Sequence, residues 1–240
     1  KRRFNLNIKF TKYTGVGNDF VMIDNRNLIF DVKESIKIWE KLCNRRHGIG
    51  ADGVILVENS DHADFKMRYI NADGSEVEMC GNGARCITSF FHKLTKQKKN
   101  EYQFETMNGI YSSQVLLNQE IKLKMIELSE IGKIDVSDLS FDKKIAYYLN
   151  TGVPHTVIEV NDINHFDVIT YGKSIRYDNR FANGSNANFF EILNDQEICV
   201  RTYERGVENE TFSCGTGVTA VAITLAKLKH WKNQVVINTL

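Results

Sequence analysis

Apolar and polar positions alternate in short runs along much of the chain. Ile121, Leu123 and Met125 are spaced by Lys122 and Lys124, the period-two signature of a half-buried antiparallel strand. The pattern predicts strands over Phe65 to Ile70, Ile121 to Ile126, Thr156 to Val160, Phe189 to Leu193, Ile198 to Tyr203 and Val235 to Ile237. Val54 to Val57 is an unbroken apolar run and reads as one more strand. Asp31 to Asn44 has helical spacing. Val32, Ile36, Trp39 and Leu42 form its apolar stripe, and Asp31 with Glu34 fits an Asx variant of the capping box. Two further stretches are helical by spacing: Ala84, Ile87, Phe91 and Leu94, and then Val218, Val221, Ala222, Leu225 and Leu228. The second carries few charges, as expected of a helix wrapped by other structure. Lys93 to Asn100 reads as a solvated helix end, where lysines complement the dipole.

Those last two helices share an opening. Cys80-Gly81-Asn82-Gly83 leads the first and Cys214-Gly215-Thr216-Gly217 the second. Two similar halves, each with a central helix led by a cysteine, are expected. The boundary falls near Ile126 to Glu130, giving domains 1–126 and 127–240.

Composition narrows the function classes. With 42% hydrophobic and 25% charged residues and a single proline, the 240-residue chain is neither disordered nor a proline-rich linker. The net charge of +1 provides no footprint for nucleic acid or an anionic membrane. No apolar run approaches the roughly 18 residues of a spanning helix, and Lys1-Arg2-Arg3-Phe4 lacks the apolar core of a signal peptide. Five cysteines, an odd number spread along the chain, do not form a disulfide framework, so a reducing, cytoplasmic setting is expected.

Several motifs carry little. Gly48-Ile49-Gly50-Ala51-Asp52-Gly53 matches a dinucleotide fingerprint in letters only. A helix precedes it and a strand follows, the reverse of the required order. Gly15-Val16-Gly17-Asn18 reads as a turn. No Cys-x-x-Cys pair or Gly-x-Ser-x-Gly elbow exists, and Cys80 with Cys86 has poor zinc spacing. His155, alone in Gly152-Val153-Pro154-His155, is as readily structural as functional. Cys43, Cys86 and Cys199 lack a following Gly-x-Gly and read as core or surface residues. The paired cysteines differ. A cysteine at a helix N-terminus meets free N–H groups and the positive end of the dipole, both of which favour thiolate. The glycines leave those N–H groups open to an anion such as a carboxylate. Two such thiols facing one cleft would suit removal of a proton from one face of a carbon and delivery to the other. That inversion needs no metal and no cofactor.

At this point the chain resembles the diaminopimelate epimerase family, from Phe10-Thr11-Lys12 to Val236. Besides the two cysteine segments, the resemblance rests on Gly15 to Phe20, Gly48 to Asp52, Asn71 to Val77 and Gly152 to His155. It continues through Asn183 to Phe189, Arg201 to Gly206 and Glu210 to Gly217. Proline racemase-like enzymes share the fold and the thiol logic but are not expected to carry Gly-Asn-Asp-Phe or Tyr-Glu-Arg-Gly. The resemblance implies an α/β (α+β) fold of two pseudo-symmetric lobes, each a mixed or antiparallel sheet or barrel around a central helix. It implies epimerisation of LL- to meso-diaminopimelate in lysine and peptidoglycan-precursor synthesis, with no pyridoxal phosphate or other cofactor, and a homodimer. By position, Cys80 and Cys214 match the acid–base thiols. Gly81, Asn82, Gly215 and Thr216 match the loop and helix starts that hold the α-carboxylate. Asn18, Asn71, Asn186, Glu204 and Arg205 match substrate-binding positions, and His155 and Glu204 match residues assisting the thiols. The chain departs from the pattern at Gly53 (often glutamine) and at Val153 (commonly asparagine). The family's usual C-terminal return segment is expected to be missing. A two-lobed binding protein without catalysis and a racemase of another small amino acid remain open as alternatives.

Overall fold

In a computed structural model, residues 8–96, 99–125, 130–139, 145–228, 231 and 234–240 are described. The chain divides into two compact units, Lys1–Met125 and Ile126–Leu240. The expected junction at residues 126–127 lies outside the described residues.

The first unit opens with β1 (Thr11–Gly15) and β2 (Asn18–Asp24), joined by a two-residue turn. Val16 and Gly17 both have positive φ, 54° and 80°, the geometry that matches the twist of a hairpin. Then come α1 (Ile36–Cys43), β3 (Gly53–Glu58), β4 (Phe65–Asn71), β5 (Glu76–Val77) and α2 (Gly81–Leu94). β6 (Glu101–Thr106), β7 (Gly109–Val115) and β8 (Ile121–Lys124) complete the sheet, whose order is β1-β2-β3-β4-β6-β7-β8, with β5 on β4. Helix α2 packs on strands from β1 at one edge to β8 at the other, so the sheet curls around it.

Burial on both faces explains the unbroken run at Val54 to Val57. Ile55 and Val57 join Phe20, Met22, Ile87 and Phe91 on the α2 side. Val54 and Leu56 join Val21, Ile23 and Trp39 on the α1 side. The first helix is shorter than its spacing predicts. It begins at Ile36, and the Asp31 carboxylate instead accepts from the N–H groups of Lys33 and Glu34 in a turn upstream. That turn folds back over Trp39, whose indole donates to the Val32 carbonyl at 3.0 Å while its ring meets Phe30 edge-on. Ile36 consequently leaves the buried stripe and is 44% exposed.

The second unit contains β9 (Gly132–Asp135), β10 (Ile145–Asn150), β11 (Pro154–Glu159), α3 (Val168–Arg176), β12 (Asn186–Asn194) and β13 (Glu197–Glu204). β14 (Asn209–Thr211), α4 (Gly215–Leu228) and β15 (Val236–Asn238) follow. The sheet runs β14-β13-β12-β11-β10-β9, with β15 on β13. Each face again has its own core, one around α3 and one around α4. The fold is therefore α/β, each unit a mixed curled sheet on a helix.

The repeat runs deeper than the cysteines. β1–β2, β2–β3 and β3–β4 pair antiparallel, parallel and antiparallel. β10–β11, β11–β12 and β12–β13 pair in the same sequence. In each unit a helix bridges the parallel pair. A short strand then hairpins onto the last of these strands just before the cysteine-led helix.

Val16 holds a left-handed φ that a β-branched side chain disfavours. Val16→Asn converts the turn to Asn-Gly and should stabilise the first unit by about 1 kcal/mol. Urea unfolding monitored by Trp39 fluorescence checks this, and an unchanged or lower midpoint would count against it.

Candidate active site

Cys80 is the N-cap of α2, in extended conformation, and its Sγ accepts from the Gly83 N–H at 3.4 Å. A Cβ at Gly83 would stand 2.6 Å from Ile55, so the tight first turn excludes side chains there. The β1–β2 turn delivers Asn18, whose Oδ1 lies 3.6 Å from the Cys80 sulfur. Asn18 Nδ2 donates to Asp52 Oδ2 at 2.6 Å. A carboxylate only accepts, so this contact fixes the amide with its oxygen toward the thiol.

Asp52 is itself held. Arg45 donates to its Oδ1 at 2.6 Å and the Asp19 N–H to its Oδ2 at 3.0 Å. Arg45 and Lys12 also grip Asp19, both at 2.8 Å. Burial by itself would raise the Asp19 carboxyl, but hydrogen bonds and charge from Arg45 and Lys12 outweigh it and hold it well below the usual range. The remaining first-unit cysteines are poor nucleophiles. Burial pushes Cys43 and Cys86 each up to about 11, Cys43 also through Asp19 and Asp52.

Asn82 is buried in the first turn of α2 and accepts from Arg85. Asn71 ends β4 opposite Gly53 and is half-buried. At Gly53 a Cβ would meet the Tyr69 ring and the Ile70 carbonyl, each at 2.5 Å. The Tyr69 ring thus fills the space a longer residue would take. A cavity of about 590 Å³ in the same unit, between Asp64, Lys99, Ser112 and Lys124, includes none of the predicted site residues.

In the second unit Cys214 is buried immediately before α4. Its sulfur lies 3.3 Å from the Thr216 hydroxyl, which is 2.9 Å from His155 Nε2. His155 Nδ1 is 3.0 Å from Asn188 Nδ2. The tautomer follows from the neighbours. Asn188 Nδ2 donates to the Thr156 carbonyl at 3.0 Å and its Oδ1 accepts from Thr202 at 3.1 Å, so Nδ2 is the amide nitrogen. His155 Nδ1 must then accept, which leaves the proton on Nε2. Nε2–H donates to Thr216, freeing the Thr216 hydroxyl to donate to Cys214. Burial first, then the charge of Arg205, lowers the His155 pKa to about 3, against a smaller opposing effect of Asn188. The ring is therefore a neutral donor. Gly217 leaves room for this relay, since a Cβ there would stand 2.2 Å from Asn188 Oδ1.

Asn186 donates to the Pro154 carbonyl and accepts from the Arg205 N–H, both at 2.8 Å, which fixes the chain at Arg205. The Arg205 guanidinium donates to the Asn183 carbonyl at 2.9 Å and pairs with no carboxylate among the described residues. Glu204 accepts from Thr211 at 2.9 Å. Gly215 and Thr216 form the first turn of α4, and Thr151 ties the Thr216 carbonyl to the end of β10 at 2.9 Å. Among the described residues no cluster of three or more His, Cys, Asp or Glu is placed to hold a metal ion.

Asp52 and Asn188 hold Asn18 and His155 in place, a part that the motifs containing them do not announce. For Asn188 a signal existed: a polar residue inside the apolar segment Ala187 to Phe190, where every side chain is buried. For Asp52 none did, because its partners lie 7 and 34 residues away.

Comparison with known proteins adds the lineage. The sequence model of the diaminopimelate epimerase family matches residues 10–129 and 147–240. The diaminopimelate epimerase of Flavobacterium psychrophilum is 44% identical over 233 residues, covering 96% of this chain and 87% of that protein. That of Aquifex aeolicus is 41% identical over 227 residues, covering 90% and 80%. Among solved structures, a Bacillus anthracis phenazine biosynthesis protein of the PhzF family superposes with a TM-score of 0.68. It is 18% identical and is matched over 91% of this chain and 80% of its own. A probable proline racemase from Agrobacterium radiobacter superposes at 0.66 and is 14% identical, with 97% and 83% covered. At these identities the structures share the fold.

His155 should appear in ¹⁵N NMR as a neutral ring protonated on Nε2, unchanged from pH 8 to about pH 5. Its folded pKa lies below the ordinary value of about 6.5, so its share of stability is complete above that value. It is lost as pH falls toward about 3. A ring titrating near 6.5, or one protonated on Nδ1, would contradict the assignment.

Proposed function

The chain belongs to the diaminopimelate epimerase family and is an epimerase, and from that premise we propose that it interconverts LL- and meso-diaminopimelate using Cys80 and Cys214 as its two acid–base groups. One thiolate takes the α-proton from one face of Cα. The other thiol returns a proton to the opposite face. The C–H electron pair passes into the α-carboxylate system and is recovered when the new C–H bond forms, so no oxidant or reductant is consumed. The observation that carries the reading is the matched pair: each unit opens a 14-residue helix with a cysteine, backed by glycines and given its own hydrogen-bonded side chain.

An α-proton is very weakly acidic and a thiolate is a modest base, so the developing carboxylate charge has to be stabilised. N–H groups at the starts of α2 and α4, at Gly81, Asn82, Gly215 and Thr216, are preorganised donors for it. One such donor is worth about 3 kcal/mol in a dry site. Arg205 suits a substrate carboxylate because its planar fork binds two oxygens at once. Asn186 supports that role by holding the Arg205 backbone. Asn18, Asn71 and Glu204 complete the proposed substrate-binding set. His155 and Glu204 assist the thiols, His155 through Thr216. The pathway we assign is lysine and peptidoglycan-precursor synthesis, in a cytoplasmic homodimer. The odd number of cysteines, five spread along the chain, supports a reducing compartment.

Cys80→Ala and Cys214→Ala should each lower epimerisation by about 10³-fold or more. Solvent-deuterium incorporation at Cα of diaminopimelate, read by NMR, is the direct assay. Exchange into proline but not diaminopimelate would identify a racemase of the other kind, and no exchange at all a binding protein. Arg205→Met should raise KM about tenfold or more, a loss of at least 1.4 kcal/mol, with the fold intact. Unchanged kinetics would remove Arg205 from the substrate site.

A further inference from the structure

Arg205 lies just past β13, at the start of a four-residue turn into β14 that ends at Glu208. The Glu208 N–H closes this turn on the Glu204 carbonyl at 2.8 Å. Gly206 and Glu208 both have left-handed φ, 92° and 56°. Glycine takes that conformation freely, whereas glutamate takes it only where its surroundings hold it there. The carboxylate shows what holds it. Oε1 accepts from the Gly206 N–H at 3.1 Å and from Arg176 Nε at 2.8 Å. Oε2 accepts from the Tyr177 hydroxyl at 3.1 Å, and the Tyr203 hydroxyl lies 3.5 Å away. Each of these neighbours donates, a set that only an ionised carboxyl satisfies. Burial by itself would raise the Glu208 carboxyl, but the bonds from Gly206, Arg176 and Tyr177 and the Arg176 charge outweigh it and hold it below its usual range.

Arg176 connects this carboxylate to a second turn. It ends α3, and a Cβ at Gly184 would stand 2.0 Å from its Nη1. Gly184, at φ 66°, follows Asn183, whose carbonyl accepts from Arg205 Nη1 at 2.9 Å. The Arg205 N–H donates to Asn186, two residues past Gly184. Backbone and guanidinium of Arg205 are therefore both tied to segments that Glu208 and Arg176 clamp. Glu208 lies three residues from Arg205, yet its carboxylate is committed to Arg176. Among the described residues the Arg205 guanidinium has one hydrogen bond, to Asn183.

We propose that Glu208, held by Arg176, is a positioning residue for Arg205: its carboxylate locks the turn that aims the guanidinium and leaves that guanidinium to a carboxylate of the substrate. The binding half of this proposal rests on the reading of Arg205 given above. Glu208 is separate from Glu204, four residues earlier, which that reading places in the substrate site.

The first measurement needs no substrate. Glu208→Gln keeps the size of the side chain and removes its charge, turning an amide N–H₂ toward groups that donate. In the ligand-free full chain, amide hydrogen exchange read by NMR should quicken about tenfold or more at Arg205 and Glu208 and stay unchanged in α4 and the first unit. Unchanged exchange at both amides, or an equal rise throughout the second unit, would overturn the proposal. The second measurement is diaminopimelate kinetics. Glu208→Gln and Glu208→Gly should each raise KM about fivefold or more, and more than they lower kcat. Glycine relieves the left-handed φ, so the second variant keeps the turn while losing the carboxylate. Arg176→Met should act in the same direction. In an Arg205→Met background Glu208→Gln should change KM by less than about twofold, because the group it positions is gone. A full additive increase there would mean a general structural role and overturn the proposal. KM unmoved by both Glu208 variants while Arg205→Met raises it would overturn the proposal and leave the reading of Arg205 standing. Faster local exchange with KM unmoved by Arg205→Met, or with no turnover of diaminopimelate by the unaltered chain, would overturn that reading and the binding half with it, leaving the positioning of Arg205 by Glu208 in place.

Discussion

The first turn of an α-helix has N–H groups with no intrahelical partner, and each unit of this protein is organised around one such turn. Glycines strip the side chains from it, a cysteine stands at its head, and the sheet curls around the helix behind it. The backbone must approach closely for this to work. A single added carbon would press on Ile55 at Gly83 or on Asn188 at Gly217. The frame thus leaves backbone N–H groups and a cysteine sulfur together at the head of each helix.

Within the shared frame, the side chains have diverged. The strands pair in the same order in both units, yet the cysteine of one meets an amide oxygen and that of the other a hydroxyl. The first network is partly exposed and ends in a cluster of two carboxylates and two cations. The second is buried and joins Cys214 to the uncharged side chains of Thr216, His155 and Asn188. Burial explains the difference in chemistry. A charged imidazole would be costly where His155 lies, so the ring stays neutral. Where solvent reaches, ion pairs tolerate exposure and can pin a side chain such as Asn18 through its carboxylate partner.

Local pattern disclosed a good part of the architecture. The helices after Cys80 and Cys214 begin where the motifs place them, and the strand at Phe65 to Ile70 agrees within a residue. The alternation of Tyr102, Phe104 and Thr106 with Glu101, Gln103 and Glu105 marks β6 just as clearly. The first helix starts later than its spacing suggests because Trp39 packs under the preceding turn, a contact that periodicity does not contain.

The sequence by itself determined the two cysteine-led helices and their glycine-stripped first turns, because those depend on neighbours a few residues apart. Only the tertiary structure decided which way each hydrogen bond runs. Asp52 reaches Asn18 across 34 residues, and Asn188 reaches His155 across 33. A carboxylate that can only accept, and an amide whose nitrogen is committed to a carbonyl, act through direction rather than identity. Direction exists only once the strands have brought both partners to the same place.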